Sequence, residues 1–103
     1  MYTTKSIYSK AFINLKRLGK CYNTRIVNIY LFNGKILEEN YLYNGSLNTS
    51  SFYRIENINN GFVKLLLLRP FNGNYYSTRE YITISLNCIG ALKCIQDVYV
   101  SNL

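Results

Sequence analysis

The chain contains no histidine and no tryptophan, and it has a single proline. The absence of histidine excludes Ser-His-Asp and Cys-His nucleophile activation and removes the commonest general base. The glycines follow neither a Walker-type nor a dinucleotide-binding pattern. We therefore predict that the protein is not an enzyme and holds no cofactor. The acidic residues lie in predicted turns or on predicted exposed strand faces, where we expect solvated surface carboxylates. They are Glu38, Glu39, Glu56, Glu80 and Asp97.

Cysteine is scarce as well. Cys21, Cys88 and Cys94 are too few for a four-cysteine zinc site, so we predict no metal. Cys88 and Cys94 are six residues apart, and on one extended strand they would lie roughly 20 Å from each other. A disulfide between them would require the chain to fold back near Gly90. An odd number of cysteines favours a bond between chains, and buried reduced cysteines are an equal alternative.

Long hydrophobic runs are absent. No apolar stretch approaches the roughly 18 residues of a membrane span, and the first ten residues contain no apolar core of signal-peptide length. We expect no membrane association and a protein that starts in the cytoplasm of the cell that makes it.

Positive charge is concentrated at the beginning of the chain. The net charge is +7, and residues 1–25 carry six bases and no acid, whereas residues 26–103 carry six bases and five acids. We assign this charge to a basic N-terminal arm over residues 1–20. Its candidate contact residues are Lys5, Lys10, Lys16, Arg17 and Lys20.

The conformation of the arm has two equal interpretations. Its apolar residues recur at roughly helical spacing, and Gly19 would end a short helix. An extended arm that exchanges onto the sheet edge of a neighbouring subunit fits the same residues.

Tyrosine, phenylalanine and isoleucine are abundant, and they favour strands. Four Asn-Gly dipeptides, at Asn33, Asn44, Asn60 and Asn72, recur at the spacing of hairpin turns in an all-β domain. We predict an all-β fold in which residues 21–103 form a single-domain antiparallel β-sandwich of jelly-roll-like type. The predicted strands are Ile26 to Phe32, Lys35 to Tyr43, Ser51 to Ile58, Phe62 to Arg69, Tyr75 to Thr78, Tyr81 to Leu86, Ile89 to Ile95 and Val98 to Val100.

Period-two alternation predicts which faces are buried. In one run, one face of the strand carries Phe52, Arg54 and Glu56, and the opposite face carries Tyr53, Ile55 and Asn57. In a second run, one face carries Ile82, Ile84 and Leu86, and the opposite face carries Thr83, Ser85 and Asn87. The apolar run Leu65 to Leu68 predicts a central strand covered on both faces, which Pro70 should end because proline cannot donate to a ladder.

Basic and aromatic side chains also occur together, with Arg54 beside Phe52 and Tyr53. Such a surface could stack single-stranded nucleic acid, so a small basic β-barrel that binds it is our alternative hypothesis. We do not expect nucleic acid to be a partner, however, because the excess of bases lies in the arm. Exposed tyrosines serve subunit interfaces equally well.

Three stretches resemble, in order and spacing, the cysteine-rich coat and exosporium proteins of endospore-forming bacteria, the spore coat protein Z family. They are Cys21 to Gly34, Ser50 to Ile58, and Asn87 to Val100, the last reading Asn-Cys-Ile-Gly-Ala-Leu-Lys-Cys-Ile-Gln-Asp-Val-Tyr-Val. The likeness covers about four fifths of the chain by this span, and its closing stretch is the most specific.

The resemblance implies a structural subunit that is made in the mother cell and assembles into ordered layers on the spore surface. Disulfides between subunits would reinforce the layer, and Cys21, Cys88 and Cys94 correspond to family cysteines. The partners would be further copies of the chain in a lattice or fibre, and other coat or exosporium proteins. The family usually has many more cysteines, including a cysteine-rich N-terminal half, so assembly here should depend on strand edges, apolar patches and the arm.

Overall fold

A computed structural model describes residues 26–95 and 100–101, and these residues are all-β. Residues 1–20, their five basic candidate residues and Cys21 lie outside the described residues, as does Asp97 with most of the predicted strand Val98 to Val100. The strands are β1 (Ile26–Leu31), β2 (Glu39–Tyr43), β3 (Ser46–Ser50), β4 (Phe52–Asn59), β5 (Phe62–Phe71), β6 (Asn74–Ser85), β7 (Ile89–Ile95) and β8 (Val100–Ser101). A 3₁₀ turn over Leu86–Cys88 joins β6 to β7.

Five strands form one antiparallel sheet in the order β7-β1-β4-β5-β6, and the short β8 adds to β6 in parallel. A separate two-stranded sheet consists of the β2–β3 hairpin. The described strands do not close into a barrel. The predicted all-β antiparallel fold is therefore confirmed.

Asn-Gly turns close three hairpins, as the sequence predicts. Asn44, Asn60 and Asn72 have φ near 50°, and the glycine after each has φ of 78° or 79°. Two successive positive φ angles define the type I′ turn, whose twist matches that of the flanking strands. The turn at Asn33 differs, because only Gly34 has a positive φ and the Asn33 side chain accepts a hydrogen bond from the Lys35 amide at 2.9 Å.

The central strand β5 is buried on both faces from Leu65 to Leu68, as predicted. Leu65 and Leu67 join the larger core cluster, whereas Leu66 and Leu68 face the opposite side with Ile26. The larger cluster also contains Val27, Ile29, Tyr41, Tyr53, Ile55, Val63, Leu86 and Ile89.

Pro70 does not end β5, and this prediction is wrong. The strand continues to Phe71, where Phe71 pairs with Asn74 beside the turn and Pro70 pairs with Tyr75. In an antiparallel ladder the pair next to a two-residue turn exchanges hydrogen bonds and the following pair does not. The proline nitrogen therefore points away from β6, and on that side the pairing with β4 has already ended at Leu68.

Three further strand predictions are also wrong. The strand predicted from Lys35 to Tyr43 begins only at Glu39. The runs predicted as Tyr75 to Thr78 and Tyr81 to Leu86 belong to the single strand β6, which continues through a bulge with Arg79 at φ 64° and ends before Leu86. Ser46–Ser50, which the prediction left out, forms β3. Its serines and asparagine have low strand propensity, and its cross-strand pairing with β2 compensates for this.

A bulge in β4 changes which residues share a face. Ile55 pairs with Leu65, but Asn57 pairs with Lys64, so Glu56 is the extra residue. The predicted alternation holds for Tyr53 and Ile55, which are buried, and fails at Asn57, which moves to the opposite face. The shift lets Ile58 return to the core cluster.

Buried polar side chains fasten the corner where the β2–β3 hairpin rejoins the sheet. The Asn28 amide donates to the Ser51 carbonyl at 2.8 Å. The Ser50 hydroxyl donates to the Leu68 carbonyl and accepts from the Phe52 amide at 3.2 Å. Ser50 is 4% exposed, so these bonds satisfy groups that water does not reach.

We expect Ser50→Ala to lower the free energy of unfolding by about 1–3 kcal/mol, because it leaves the buried Leu68 carbonyl and the half-buried Phe52 amide without their shared partner. Ser51→Ala is the matched control, since no side-chain hydrogen bond among the described residues uses the Ser51 hydroxyl. Urea denaturation followed by circular dichroism measures both. Equal stability of the two variants would contradict the role of the corner.

Candidate functional site

Strand β7 is an edge of the sheet and contains the most specific part of the sequence. It pairs with β1 from Ile26↔Ile95 to Leu31↔Ile89, and no described strand pairs with its outer side. The amides and carbonyls along the outer side of an edge strand can pair with a further strand. The exposed Lys93 is a feature that natural edges use against uncontrolled pairing.

Gly90 produces an irregularity at the start of β7. Leu31 pairs with Ile89 and Tyr30 with Ala91, so Gly90 is the extra residue of a bulge. A Cβ atom at this position would lie 2.8 Å from the Leu31 carbonyl oxygen. Only glycine therefore permits this close approach of the two backbones at the bulge.

Cys88 is an exposed free thiol at the end of that 3₁₀ turn. The Ser85 hydroxyl caps the turn by accepting from the Asn87 amide at 3.1 Å. The buried Leu86 anchors the turn, and its amide donates to the Gly61 carbonyl at 2.8 Å. The thiol of Cys88 is therefore held by an anchored turn that leads directly into β7.

Cys94 has a different environment. It is half-buried on β7, pairs with Val27 and packs against the larger core cluster. It is disulfide-bonded, and because Cys88 is free, Cys88 is not its partner. Of the two described cysteines, Cys88 is the one whose thiol is available to a second chain.

The β2–β3 hairpin supplies an apolar surface. Leu42 and Leu47 are directly opposite each other near the turn, and they are 71% and 67% exposed. Tyr43, next to Leu42, is also exposed. We call Leu42, Tyr43 and Leu47 the hairpin tip. A cross-strand pair of leucines in water is the kind of patch that serves protein contacts.

Arg69 holds the hairpin tip against the main sheet. Its guanidinium carbon lies 4.0 Å from the centre of the Tyr43 ring, 4.9 Å from that of Tyr76 and 5.6 Å from that of Phe71. Cation–π contacts of this kind each contribute about 0.5–2 kcal/mol. The hairpin tip is thus exposed but held in one orientation.

Tyr53 supports the same hairpin from inside the core. Its ring is fully buried, and its hydroxyl donates to the Leu37 carbonyl at 3.2 Å, in the segment that leads into β2. Burial raises the pKa of the Tyr53 hydroxyl well above its ordinary value, and the Glu39 and Glu38 carboxylates raise it further. Tyr53 therefore remains neutral in the folded protein.

The described carboxylates form no acid–base constellation. Glu38 and Glu80 are exposed, and Glu56 accepts a hydrogen bond from Arg54 at 2.7 Å. In the part of the chain that the structure describes, no three His, Cys, Asp or Glu side chains group as a metal site. Within the same residues no helix is long and apolar enough to span a bilayer.

The sequence patterns do not predict the hairpin tip or the contacts of Arg69. Tyr41, Leu42 and Tyr43 are all apolar, so alternation does not reveal that Tyr41 is buried and its neighbours are exposed. The leucine pair was detectable in principle, since Leu42 and Leu47 flank an Asn-Gly turn symmetrically.

No family model, curated protein or solved structure matches the chain.

Stability at alkaline pH tests the environment of Tyr53. The unfolded hydroxyl ionises near pH 10.0, whereas the folded one stays protonated, so its contribution is complete below that pH and is lost above it. We expect this group to lower the free energy of unfolding by about 1.4 kcal/mol per pH unit above pH 10. Tyr53→Phe should show a correspondingly shallower decline in urea denaturation between pH 9 and about 11. Identical slopes for both proteins would contradict the assignment.

Proposed function

We propose that the protein is a self-assembling structural subunit of a bacterial spore coat or exosporium layer. The observation that carries the proposal is the exposed free thiol of Cys88 beside β7, which is the outermost strand among those that the structure describes. A strand edge gives directional backbone pairing between subunits. Two Cys88 thiols, one from each subunit, can make that contact covalent by losing two protons and two electrons to an external oxidant such as dissolved oxygen. The subunit is made in the mother-cell cytoplasm and deposited on the spore surface, and it performs no catalysis.

The sequence resemblance gives the proposal its biological setting. The stretch most typical of spore coat proteins begins at Asn87, and its described part forms the end of the 3₁₀ turn and the whole of β7. The residues that suggest the family are therefore the same ones that line the candidate contact. This coincidence supports an assembly role for the segment.

A jelly-roll-like β-sandwich is the finer fold that we propose. Tyr41 of the hairpin belongs to the same core cluster as Val27, Ile55 and Leu65 of the main sheet. A second layer of a sandwich would contribute to the core in this way. The arm over residues 1–20 is proposed as a further contact, either as a helix or as an exchanged strand.

The contact surfaces determine what assembly is possible. The β7 edge and the hairpin tip are different surfaces of one subunit. A bond between two Cys88 thiols joins like surfaces and gives a pair of subunits, whereas contacts between unlike surfaces of such pairs, through the hairpin tip, generate closed rings or open filaments. Either product can build a two-dimensional lattice or a fibre. Contacts with other coat or exosporium proteins would use the same surfaces.

Nucleic-acid binding receives less support from the described residues. They carry six bases against four acids, so they have little excess positive charge. Their strands also do not close into the barrel of the alternative hypothesis. A phosphate-tracking surface needs several unpaired cations along its length.

We expect electron microscopy of the purified full-length chain to reveal rings, sheets or fibres. On a non-reducing gel the wild type should run partly as a covalent dimer, and Cys88→Ser should run as a monomer. The assemblies themselves should persist in Cys88→Ser, because strand pairing and apolar contacts form them. A wild-type protein that remains monomeric at high concentration in non-reducing buffer would refute the proposal.

The hairpin tip provides a second test. Leu47→Asp places a charge in an apolar contact, so we expect it to raise the concentration required for assembly at least about tenfold. Asn74→Asp is the matched control, since it adds the same charge at an exposed position beside another Asn-Gly turn. Light scattering against protein concentration measures both variants. Equal effects would indicate general charge repulsion and exclude the hairpin tip as the contact.

A further inference from the structure

An open groove of about 430 Å³ lies at the β4–β5 end of the main sheet. Its volume is within the range of small-molecule sites, about 300–1,000 Å³. It is separate from β7 and from the hairpin tip. We call it the amide groove, and its lining residues are Asn57, Asn59, Asn60, Phe62, Lys64 and Thr83.

The bulge at Glu56 builds the amide groove. Because of the bulge, Asn57 pairs with Lys64, and Asn59 pairs with Phe62. Thr83 pairs with Lys64 from the other side. Without the extra residue, strand alternation would point Asn57 toward the core face, and the amides would not gather beside Phe62. Bulges often re-aim side chains next to functional sites.

The polar groups of the groove have unused bonding capacity. No side-chain hydrogen bond among the described residues uses the amides of Asn57, Asn59 and Asn60 or the hydroxyl of Thr83. Each amide offers two donors and an acceptor, and the hydroxyl offers a donor and an acceptor. The Phe62 ring stands beside them and is 52% exposed.

We propose that the amide groove binds carbohydrate, namely a β-linked pyranose chain with equatorial substituents. Such a sugar presents a flat face of C–H bonds that stacks on an aromatic ring such as Phe62. Its rim of hydroxyl groups requires partners that both donate and accept, and the asparagine amides and Thr83 supply them. The ring and the polar groups therefore match the two chemical faces of one ligand.

The charge of the groove favours a sugar over a nucleic acid. Lys64 is the one cation among the six lining residues, and its ammonium lies 4.6 Å from the centre of the Tyr81 ring. Arg54, on the same face, is paired with Glu56. A nucleic-acid strand needs a series of cations for its phosphates, whereas a neutral polyol needs none.

A pull-down on insoluble cellulose and chitin tests the proposal. The full-length protein is mixed with each suspended polysaccharide, and the protein left in solution is measured, which works whether the protein is a monomer or an assembly. We expect retention on at least one of them and release by about 10 mM of the matching soluble tetrasaccharide, as for a site of millimolar or tighter affinity. Phe62→Ala should weaken retention at least about tenfold, since it removes the stacking surface. Asn59→Ala should weaken it severalfold.

Phe71→Ala is the matched control. Phe71 lies on the same strand beside another Asn-Gly turn and is 54% exposed, but it is outside the amide groove. It should keep wild-type retention within about twofold. Retention on neither polysaccharide, equal losses in both phenylalanine variants, or release by a thymidine oligonucleotide but not by sugar would each overturn the proposal. Since the groove is distinct from the assembly surfaces, loss of sugar binding with intact assembly refutes this inference alone.

Discussion

The burial of β5 on both faces is the constraint on which the rest of the fold depends. Leu65 to Leu68 are apolar in succession, so either face of the strand would expose leucines if it were left uncovered. The chain must therefore provide strands on both sides and cover on both faces. Strands β4 and β6 pair with the two sides of β5. The two core clusters, one on each face of the sheet, cover its leucines. The buried corner at Ser50 then fixes where the hairpin rejoins the main sheet.

Irregularities in the strands coincide with the candidate functional surfaces. The bulge at Glu56 gathers the asparagines of the amide groove, and the bulge at Gly90 lies near the start of β7, two residues after Cys88. The third bulge gives Arg79 a left-handed conformation, which costs a residue with a side chain about 1–2 kcal/mol. A regular sheet would present neither the amides nor the thiol in this way. The regular stretches of the strands form the core, and the bulges change which side chains lie on the surface.

The sequence predicts the parts of the fold that depend on local chemistry. Asn-Gly pairs favour type I′ turns through their own φ preferences, so three hairpins and the ends of their strands could be foreseen. It does not predict β3, the continuity of β6 or the face of Asn57, because each depends on pairing with a distant strand. The location of Cys88 and Cys94 near the chain's end is evident from the residues. Tertiary packing decides that the Cys88 thiol is exposed and that Cys94 is disulfide-bonded. The amide groove depends on the bulge at Glu56, which no pattern in the sequence predicts.

If the protein assembles as proposed, the exposed thiol of Cys88 limits the covalent bonds that its layer can contain. A thiol makes one disulfide at a time, so Cys88 has a covalent valence of one. Bonds through it join subunits in pairs, and a network of pairs alone cannot extend across a surface. Continuity must therefore come from reversible contacts, with each covalent pair acting as a larger building block. A layer of this design would combine the mechanical cohesion of many weak contacts with the capacity to repair and rearrange, which a fully cross-linked shell lacks.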